Sequence, residues 1–569
     1  MKKKSILLPV VISALVVFLS FYVTCPALNI HSTGFWGWLI FCTIAVAVIF
    51  LMFMPGQHKT VKRTMKNGEK IEIISSNIGN GGAYGKIVKI TFFVLVGIIA
   101  VNLIGHLFSG RLFNARAYSR ILAVEDGAVE EIPSAEQTSA IALMDTSSAR
   151  SLGDRKIGTL SHVVSQYELR DEEYTQINRD DHPLKVAPLS YGSFFKWINN
   201  QSSGIPGYVT VDPVSMEADY VELSQGMRIV PSAYFSQNLT RYLRWHYPTT
   251  IFHNAHFEID EEGNPWYVAS IMEYSIFLFG GERVKGVIVL NPVTGETSRY
   301  ALSEVPDWVD VAIPGDLICR QYNDYAQLQR GFWNSIFGQV GCREVTRASG
   351  GSEDSYEADY GYIAKNNDIY IYTGITSVNG DASNIGFIMA NERTGRTIFI
   401  DAPGANEFSA MNASEGEVQE KGYKASFPSL ITVDDVPTYI MVLRDKTNLV
   451  KLYACVNVEQ YNMVVTASKQ NDCIAKYQAL LRGDISQEEA NDENTVVDDV
   501  VNLDDYEKIR VTVKKLETID QGGDTYLYLV DTQNHIYHAK YAEVIGMLLV
   551  SEGDTIEIYV NGDKFYYQP

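Results

Sequence analysis

The chain has 569 residues, 46% of them hydrophobic, with 68 Asp and Glu against 47 Lys and Arg and a formal charge of −21. Ten basic and two acidic side chains stand before Ser109, so the rest of the chain carries 37 basic against 66 acidic. So acidic a body repels polyanions, which argues against nucleic acid and anionic headgroups as its partners, and its apolar content excludes a disordered protein.

Ser5 to Thr24, Gly34 to Met54 and Ile90 to Ser109 are uncharged or nearly so, and each matches the roughly 20 residues a helix needs to cross a bilayer. Three transmembrane helices are predicted. Lys2, Lys3 and Lys4 precede the first, and Lys59, Lys62, Arg63, Lys66, Lys70, Lys86 and Lys89 stand in the 55–89 loop against Glu69 and Glu72. The Cys25–Thr33 loop has no Lys, Arg, Asp or Glu. Because cytoplasmic loops hold the excess of Lys and Arg, the amino terminus and the 55–89 loop are expected inside the cytoplasmic membrane and the bulk of the chain outside it. A cleaved signal is the alternative for the first segment, with Cys25-Pro26-Ala27 as a loose site. In the third segment Asn102 and His106 lie one turn apart and Gly97 and Gly105 mark a close-approach face, so a partner helix, from this chain or another, is expected there.

Arg111 to Leu122 keeps a helical period and reads as an extension of the third helix. Ser193 to Ile198 reads as a short helix, and Tyr234 to His246 as another, stopped by Pro248. From about residue 205 a repeat appears. Gly207-Tyr-Val-Thr-Val-Asp212-Pro213-Val-Ser-Met216-Glu217 aligns on Gly286-Val-Ile-Val-Leu-Asn291-Pro292-Val-Thr-Gly295-Glu296 and on Gly386-Phe-Ile-Met-Ala-Asn391-Glu-Arg-Thr394-Gly395-Arg396; Arg444 to Asn448 is a worn fourth copy. Each reads as a strand, a turn opened by Asp or Asn and closed by a left-handed residue, and a returning strand. Met216 occupies the glycine position, so its turn must differ or carry strain. Companion hairpins precede the later copies at Phe257 to Tyr267, Ile363 to Tyr370 and Ile431 to Tyr439. An acidic Gly-Ser-rich insertion falls at Ser349 to Asp359 and a helix at Ala405 to Lys421.

A helix from Asp472 to Arg482 ends at Gly483, and Asp484 to Asp505 holds nine acidic and no basic residues, which reads as a solvated linker. Five short strands follow between Ile509 and Tyr567, as in a small OB-like barrel. Its twelve acidic and six basic residues oppose oligonucleotide binding. The expected fold is thus a membrane-anchored, β-rich α+β protein. Its parts are three transmembrane helices (1–110), a juxtamembrane helix and mixed segment (111–204), a β-meander repeat domain, irregularly propeller-like or multi-sheet (205–483), an acidic linker (484–503) and the barrel (504–569).

Ala142-Leu-Met-Asp-Thr-Ser, Gly204-Ile-Pro-Gly-Tyr-Val-Thr-Val-Asp-Pro-Val-Ser-Met, Gly331-Phe-Trp-Asn-Ser-Ile-Phe-Gly-Gln and Gly416-Glu-Val-Gln-Glu-Lys-Gly-Tyr carry a resemblance. Over residues 110–482 the chain resembles a family of bacterial membrane-anchored proteins with a large extracytoplasmic domain and no assigned activity. The resemblance implies a bacterial source.

No catalytic, cofactor or metal residues are assigned. Gly79 to Lys86 fails the spacing of a phosphate loop. Ser193-Phe-Phe-Lys196 matches S-x-x-K without its companion motifs. His246, His253, His256 and Glu258 form the one histidine cluster, in no familiar ligand spacing. Cys319, Cys342, Cys455 and Cys473 permit three disulfide pairings, local closure giving Cys319–Cys342 and Cys455–Cys473, or stand as buried thiols. The leading expectation is a non-enzymatic binding or assembly module of the cell envelope. A serine-type hydrolase or transpeptidase using Ser193 and Lys196, and a sensor coupled to a membrane complex, are the alternatives.

Overall fold

The computed structural model describes residues 6–54, 58–64, 70–76, 82–135, 143–144, 146–179, 182–346, 360–379, 383–492, 495, 507–521, 524–562 and 564–567. The 349–359 insertion, the glycines at 79 and 81, and all of the acidic run beyond Asp492 except Thr495 lie outside these. Three helices, α1 (Leu7–Thr24), α2 (Thr33–Met52) and α3 (Gly82–Ser109), are long and apolar enough to cross a membrane. The Ser32 hydroxyl caps α2 by accepting from Phe35 N. A β-rich region of several sheets follows, and a closed five-strand barrel ends the chain. The chain forms two compact units, residues 1–451 with 456–462, and residues 452–455 with 463–569.

Arg111–Tyr118 is not an extension of α3. Gly110 is extended (φ −69°, ψ 156°), breaking the helix, and the separate helix α4 (Arg111–Tyr118) turns so that Tyr118 donates its hydroxyl to the Ser109 carbonyl at 2.7 Å. Tyr234 to His246 also divides. Residues Phe235–Gln237 make a 3-10 turn, and Asn238 caps the helix Leu239–His246 by accepting from Arg241 N.

The repeat is present down to its hydrogen bonds. Asp212, Asn291 and Asn391 each accept on Oδ1 from the amides two and three residues on, at 2.7–3.1 Å. Each also accepts on its carbonyl from the amide four residues on, at 2.9–3.0 Å. That last residue is left-handed in all three turns, with φ +61° at Met216, +83° at Gly295 and +78° at Gly395. The first turn therefore keeps the geometry and carries the strain. Asp445 and Asn448 (φ +58°) form the tighter fourth turn. Asn366-Asn367 and Asp434-Asp435, all at positive φ, close the companion hairpins.

Three antiparallel meanders lie wholly within the first unit. The first sheet runs Thr175–Arg179, His182–Pro188, Ile205–Asp212, Glu217–Met227; the second runs Phe252–Ile259, Pro265–Ile276, Gly280–Leu290, Thr297–Ala301. The third is built on Gly361–Lys365, Asp368–Ser377, Ser383–Asn391 and Thr397–Ile400, with Val124–Gly127 added in parallel at its edge. The first meander begins at Thr175, upstream of the predicted repeat boundary, and its opening hairpin went unread in the sequence.

Side-chain alternation explains the layering. Val287, Ile288, Val289 and Leu290 are all buried, yet Ile288 and Leu290 join the core shared with the first sheet, whereas Val287 and Val289 join the core shared with the third. The second sheet is thus buried on both faces, and each such side chain contributes about 1.5–3 kcal/mol relative to exposure.

In the second unit Ser486 and Glu489 form a reciprocal capping box on the helix Gln487–Asn491. Asn491 Oδ1 accepts from Thr466 N, and Lys476 Nζ donates to Asp492 O. The start of the predicted linker is therefore folded against its neighbours. The barrel strands Glu507–Gln521, Asp524–Asp531, Ile536–Lys540, Thr555–Asn561 and Lys564–Tyr566 close in the order one, two, three, five, four.

Candidate functional site

Two polar assemblies in the first unit join elements far apart in sequence. The first is a collar where the β-rich body meets the ends of the apolar helices. A helix leaves its last carbonyls without partners, and at α1 the body supplies them. Arg241 Nε donates to Tyr22 O and Arg244 Nε to Cys25 O, both at 3.0 Å. Arg244 is buried and also donates from Nη1 to Tyr247 O and Thr250 O, with its guanidinium 4.3 Å from the Phe252 ring centre. Burial pushes its pKa down to about 10, so it keeps its charge at neutral pH. Leu28 N and Asn29 Nδ2 donate to Pro248 O and Thr249 O.

On the other side of the collar the tip of the second sheet's central hairpin, Phe277-Leu278-Phe279, reaches α3. Ser109 Oγ accepts from the Leu278 and Phe279 amides, and His31 Nδ1 donates to Leu278 O at 2.9 Å. The Phe279 ring stacks on His106 at 4.5 Å and lies so close to Gly105 that a Cβ there would collide with it. Gly105 and His106 thus pack on the chain's own hairpin and not on the helix expected from the sequence. Among the described residues nothing lies within 4 Å of a Cβ built on Gly97.

Beside the collar is an open cleft of about 440 Å³, lined by Arg228, Gln237, Tyr242, Trp245, His246 and Thr294 among others. Trp245 packs edge-on against Phe21 of α1 at 5.8 Å. The cleft therefore adjoins the helix end, with one guanidinium and one imidazole on its wall.

The second assembly is an acidic hub between the three sheets. Glu258 is fully buried and accepts from Asp310 N, Val311 N and His256 Nε2 at 2.7–3.1 Å. Asp310 Oδ2 accepts from Asn178 N of the first sheet, and Asn178 Nδ2 donates to Asp368 O of the third. Arg393 grips the Asp368 carboxylate with Nε and Nη2, at 2.6 and 3.0 Å. Glu392 is buried nearby, and its carbonyl accepts from Ala312 N and Ile313 N. Burial first, then the Glu258 charge, pushes the Asp310 carboxyl well above the usual range; burial does the same at Glu392. Asp310 Oδ1, Asn178 Oδ1 and Glu392 Oε2 have no hydrogen-bond partner among the described residues. The hub joins the three sheets. Among the described residues no group of His, Cys, Asp and Glu is arranged to hold a metal ion.

The histidines named from sequence separate: His246 stacks on Tyr242 at the cleft, His253 lies 3.8 Å from Glu282, and only His256 joins Glu258. Ser193 accepts from Lys196 N at 3.4 Å as the cap of the helix Phe194–Asn200, while the Lys196 ammonium lies over Gly192 beside Glu168. All six cysteines are free thiols, and Cys473 donates to Cys455 across 3.5 Å. The sequence signal for the collar was Arg241 and Arg244 on a short helix beside Trp245, a pattern that by itself says only that the helix has a basic edge.

No family model and no curated protein matches the chain. Among solved structures, an ancestral GH74 enzyme aligns over 64% of this chain and 41% of its own length at 9% identity, with a TM-score of 0.15, which carries no argument.

Proposed function

We propose that this chain is a membrane-anchored, extracytoplasmic binding or assembly module of a bacterial cell envelope. The collar carries the reading. It joins the body to the α1–α2 connection and to the carboxy-terminal end of α3, while the basic 55–81 segment connects the opposite helix ends. The excess of Lys and Arg marks that opposite end as cytoplasmic, which leaves the body outside. A body bonded to its anchor at both Arg244 and Ser109 holds a fixed face toward its surroundings, as a receptor or scaffold needs. The cleft at Trp245 and His246 is the place for a ligand, and the barrel, whose strand order supports the OB-like expectation, is a second binding surface.

The test is topological. In a Cys25→Ser background, a cysteine at Thr64 should resist an impermeant thiol reagent in intact cells, and one at the exposed Glu420 should react once any outer barrier is opened. The opposite labelling pattern overturns the orientation. Comparison of proteins recovered from native membranes with full-length chain and with an Arg244→Ala variant then asks whether partners depend on the fixed body.

A further inference from the structure

The collar stops short of one conspicuous surface. Residues 331–342 follow the helix Gly315–Leu328 and contain no charged side chain. Trp333, Ile336, Phe337 and Val340 are 64%, 51%, 77% and 55% exposed. Solvated loops do not ordinarily group four large apolar side chains outward, and a contiguous patch of this kind marks an interaction surface. Nor is the segment a loose chain. Asn334 spans it, with Nδ2 donating to Val340 O, Oδ1 accepting from Val340 N, and its carbonyl accepting from Gln339 N. Trp333 and Phe337 stack almost parallel, 5.8 Å apart. Asn334 thus ties the loop to itself while the rings face out.

Its position says what it faces. Phe332 packs in one cluster with Ala115 and Tyr118 of α4, Ile276 and Leu328, and Tyr118 is bonded to Ser109 at the end of α3. On the same side Leu112 and Phe113 of α4 and Phe277 of the hairpin tip are exposed, and Phe108 of α3 lies 5.4 Å from Phe113 and 6.0 Å from Phe277. The apolar surface of α3 thus continues onto α4 and the hairpin tip, and through Phe332 onto the 331–342 loop. Exposed Arg116, Arg120 and Arg330 border it. Aromatic rings with an arginine fringe are the side chains that settle at the boundary between hydrocarbon and headgroups.

We propose that Trp333, Ile336, Phe337 and Val340, together with Leu112, Phe113 and Phe277, form a wedge seated in the outer leaflet of the bilayer that α3 crosses, so that the body lies on the membrane and does not stand off it. This rests on the membrane-anchored reading above. The occupant is lipid and not another protein, because the patch is continuous with a helix surface already addressed to hydrocarbon.

The experiment uses the full chain in nanodiscs of phosphatidylcholine, with acyl chains either plain or brominated near the headgroup. Bromine quenches only tryptophans in the bilayer, and comparison of wild type with Trp333→Phe isolates the ring in question. Expected is a loss of bromine-quenched emission in Trp333→Phe, restored when Ile336→Trp is added, with aqueous iodide acting equally on wild type and variant. Two results overturn the wedge. Iodide quenching of Trp333 places it in water, and indifference to both quenchers places it under a protein, a second copy included. If bromine also spares Trp36 and Trp38 and alkaline carbonate extracts the chain from cell membranes, the anchoring itself fails; if those two are quenched and Trp333 is not, only the wedge fails.

Discussion

The collar and the hub solve the same problem in opposite ways. At the collar the buried Arg244, with the half-exposed Arg241 beside it, meets carbonyls that a helix end leaves open, so charge and acceptors complete one another. At the hub Arg393 grips Asp368, while Glu258, Asp310 and Glu392 take no ion pair from it, and burial raises the pKa of Asp310 and Glu392. A buried charge with enough partners stays ionised, and one without them takes up a proton.

The widest contrast should come from Arg244. Arg244→Ala leaves the Cys25 and Thr250 carbonyls without a donor and the Tyr247 carbonyl with only the Thr250 amide, and each buried acceptor so stranded costs about 1–3 kcal/mol. A large fall in the melting temperature of the detergent-solubilised chain is expected. Arg244→Lys should recover only part, since an ammonium lacks the planar fork that reaches three carbonyls. Near-wild-type melting of Arg244→Ala would remove the collar from the stability of the body.

Turn strain comes next. Gly395→Val places a β-branched residue at φ +78° with Ile313 Cδ1 2.8 Å from its Cβ, and Gly295→Val does so at φ +83° beside the Tyr242 hydroxyl. Each should cost about 1–3 kcal/mol by thermal unfolding. Met216→Gly should stay within about 0.5 kcal/mol of wild type, as relief of the left-handed strain offsets lost packing and added chain freedom. A Met216→Gly variant as damaged as the valine variants would show that the three turns are not equivalent.

Asp310 tests the hub with a smaller effect of definite sign. Its folded pKa lies above the unfolded value near about 4, so its contribution is complete below that pH and is lost as pH rises toward the folded pKa. Asp310→Asn keeps an acceptor for Asn178 N and cannot ionise. The variant should gain roughly 1 kcal/mol over wild type at pH 8 and nothing at pH 4, read as melting temperature across that range. A constant offset between the two would show that Asp310 is ionised throughout.

The smallest effect belongs to the thiol pair. Cys455, its pKa pushed well up by the Cys473 thiol and by burial, should resist alkylation in the folded chain and react only in denaturant. Mass spectrometry of native and unfolded samples reads this directly.

The three apolar helices and the hairpin turns were legible because their causes are local. Asn391 bonds the amides just ahead of it, and Gly395 takes the φ that the turn demands, all within five residues. Gly110 shows the limit of period counting. Arg111 to Tyr118 keeps its helical spacing, yet a single extended glycine and one Tyr118 hydroxyl redirect it. The hub was not legible, since Asn178, Glu258, Asp310 and Asp368 come from four segments spread over nearly 200 residues. Only the His256–Glu258 pair, two residues apart on one strand face, carried a local sign. The cover on Gly105 was misread because a close-approach face on an apolar helix says that something packs there and not what.

Phe279 against His106 has a consequence for binding rates. A soluble domain on a flexible tether samples all orientations, and a partner in the same membrane must wait for the productive one. Here the hairpin tip and the two arginines hold the body against the helix ends, so a partner meeting that body would find its orientation already restricted and lose less entropy on binding. The same contact makes the second sheet a stiff lever. Rotation of α3 about its axis would carry Gly105 past Phe279 and displace the strands behind it.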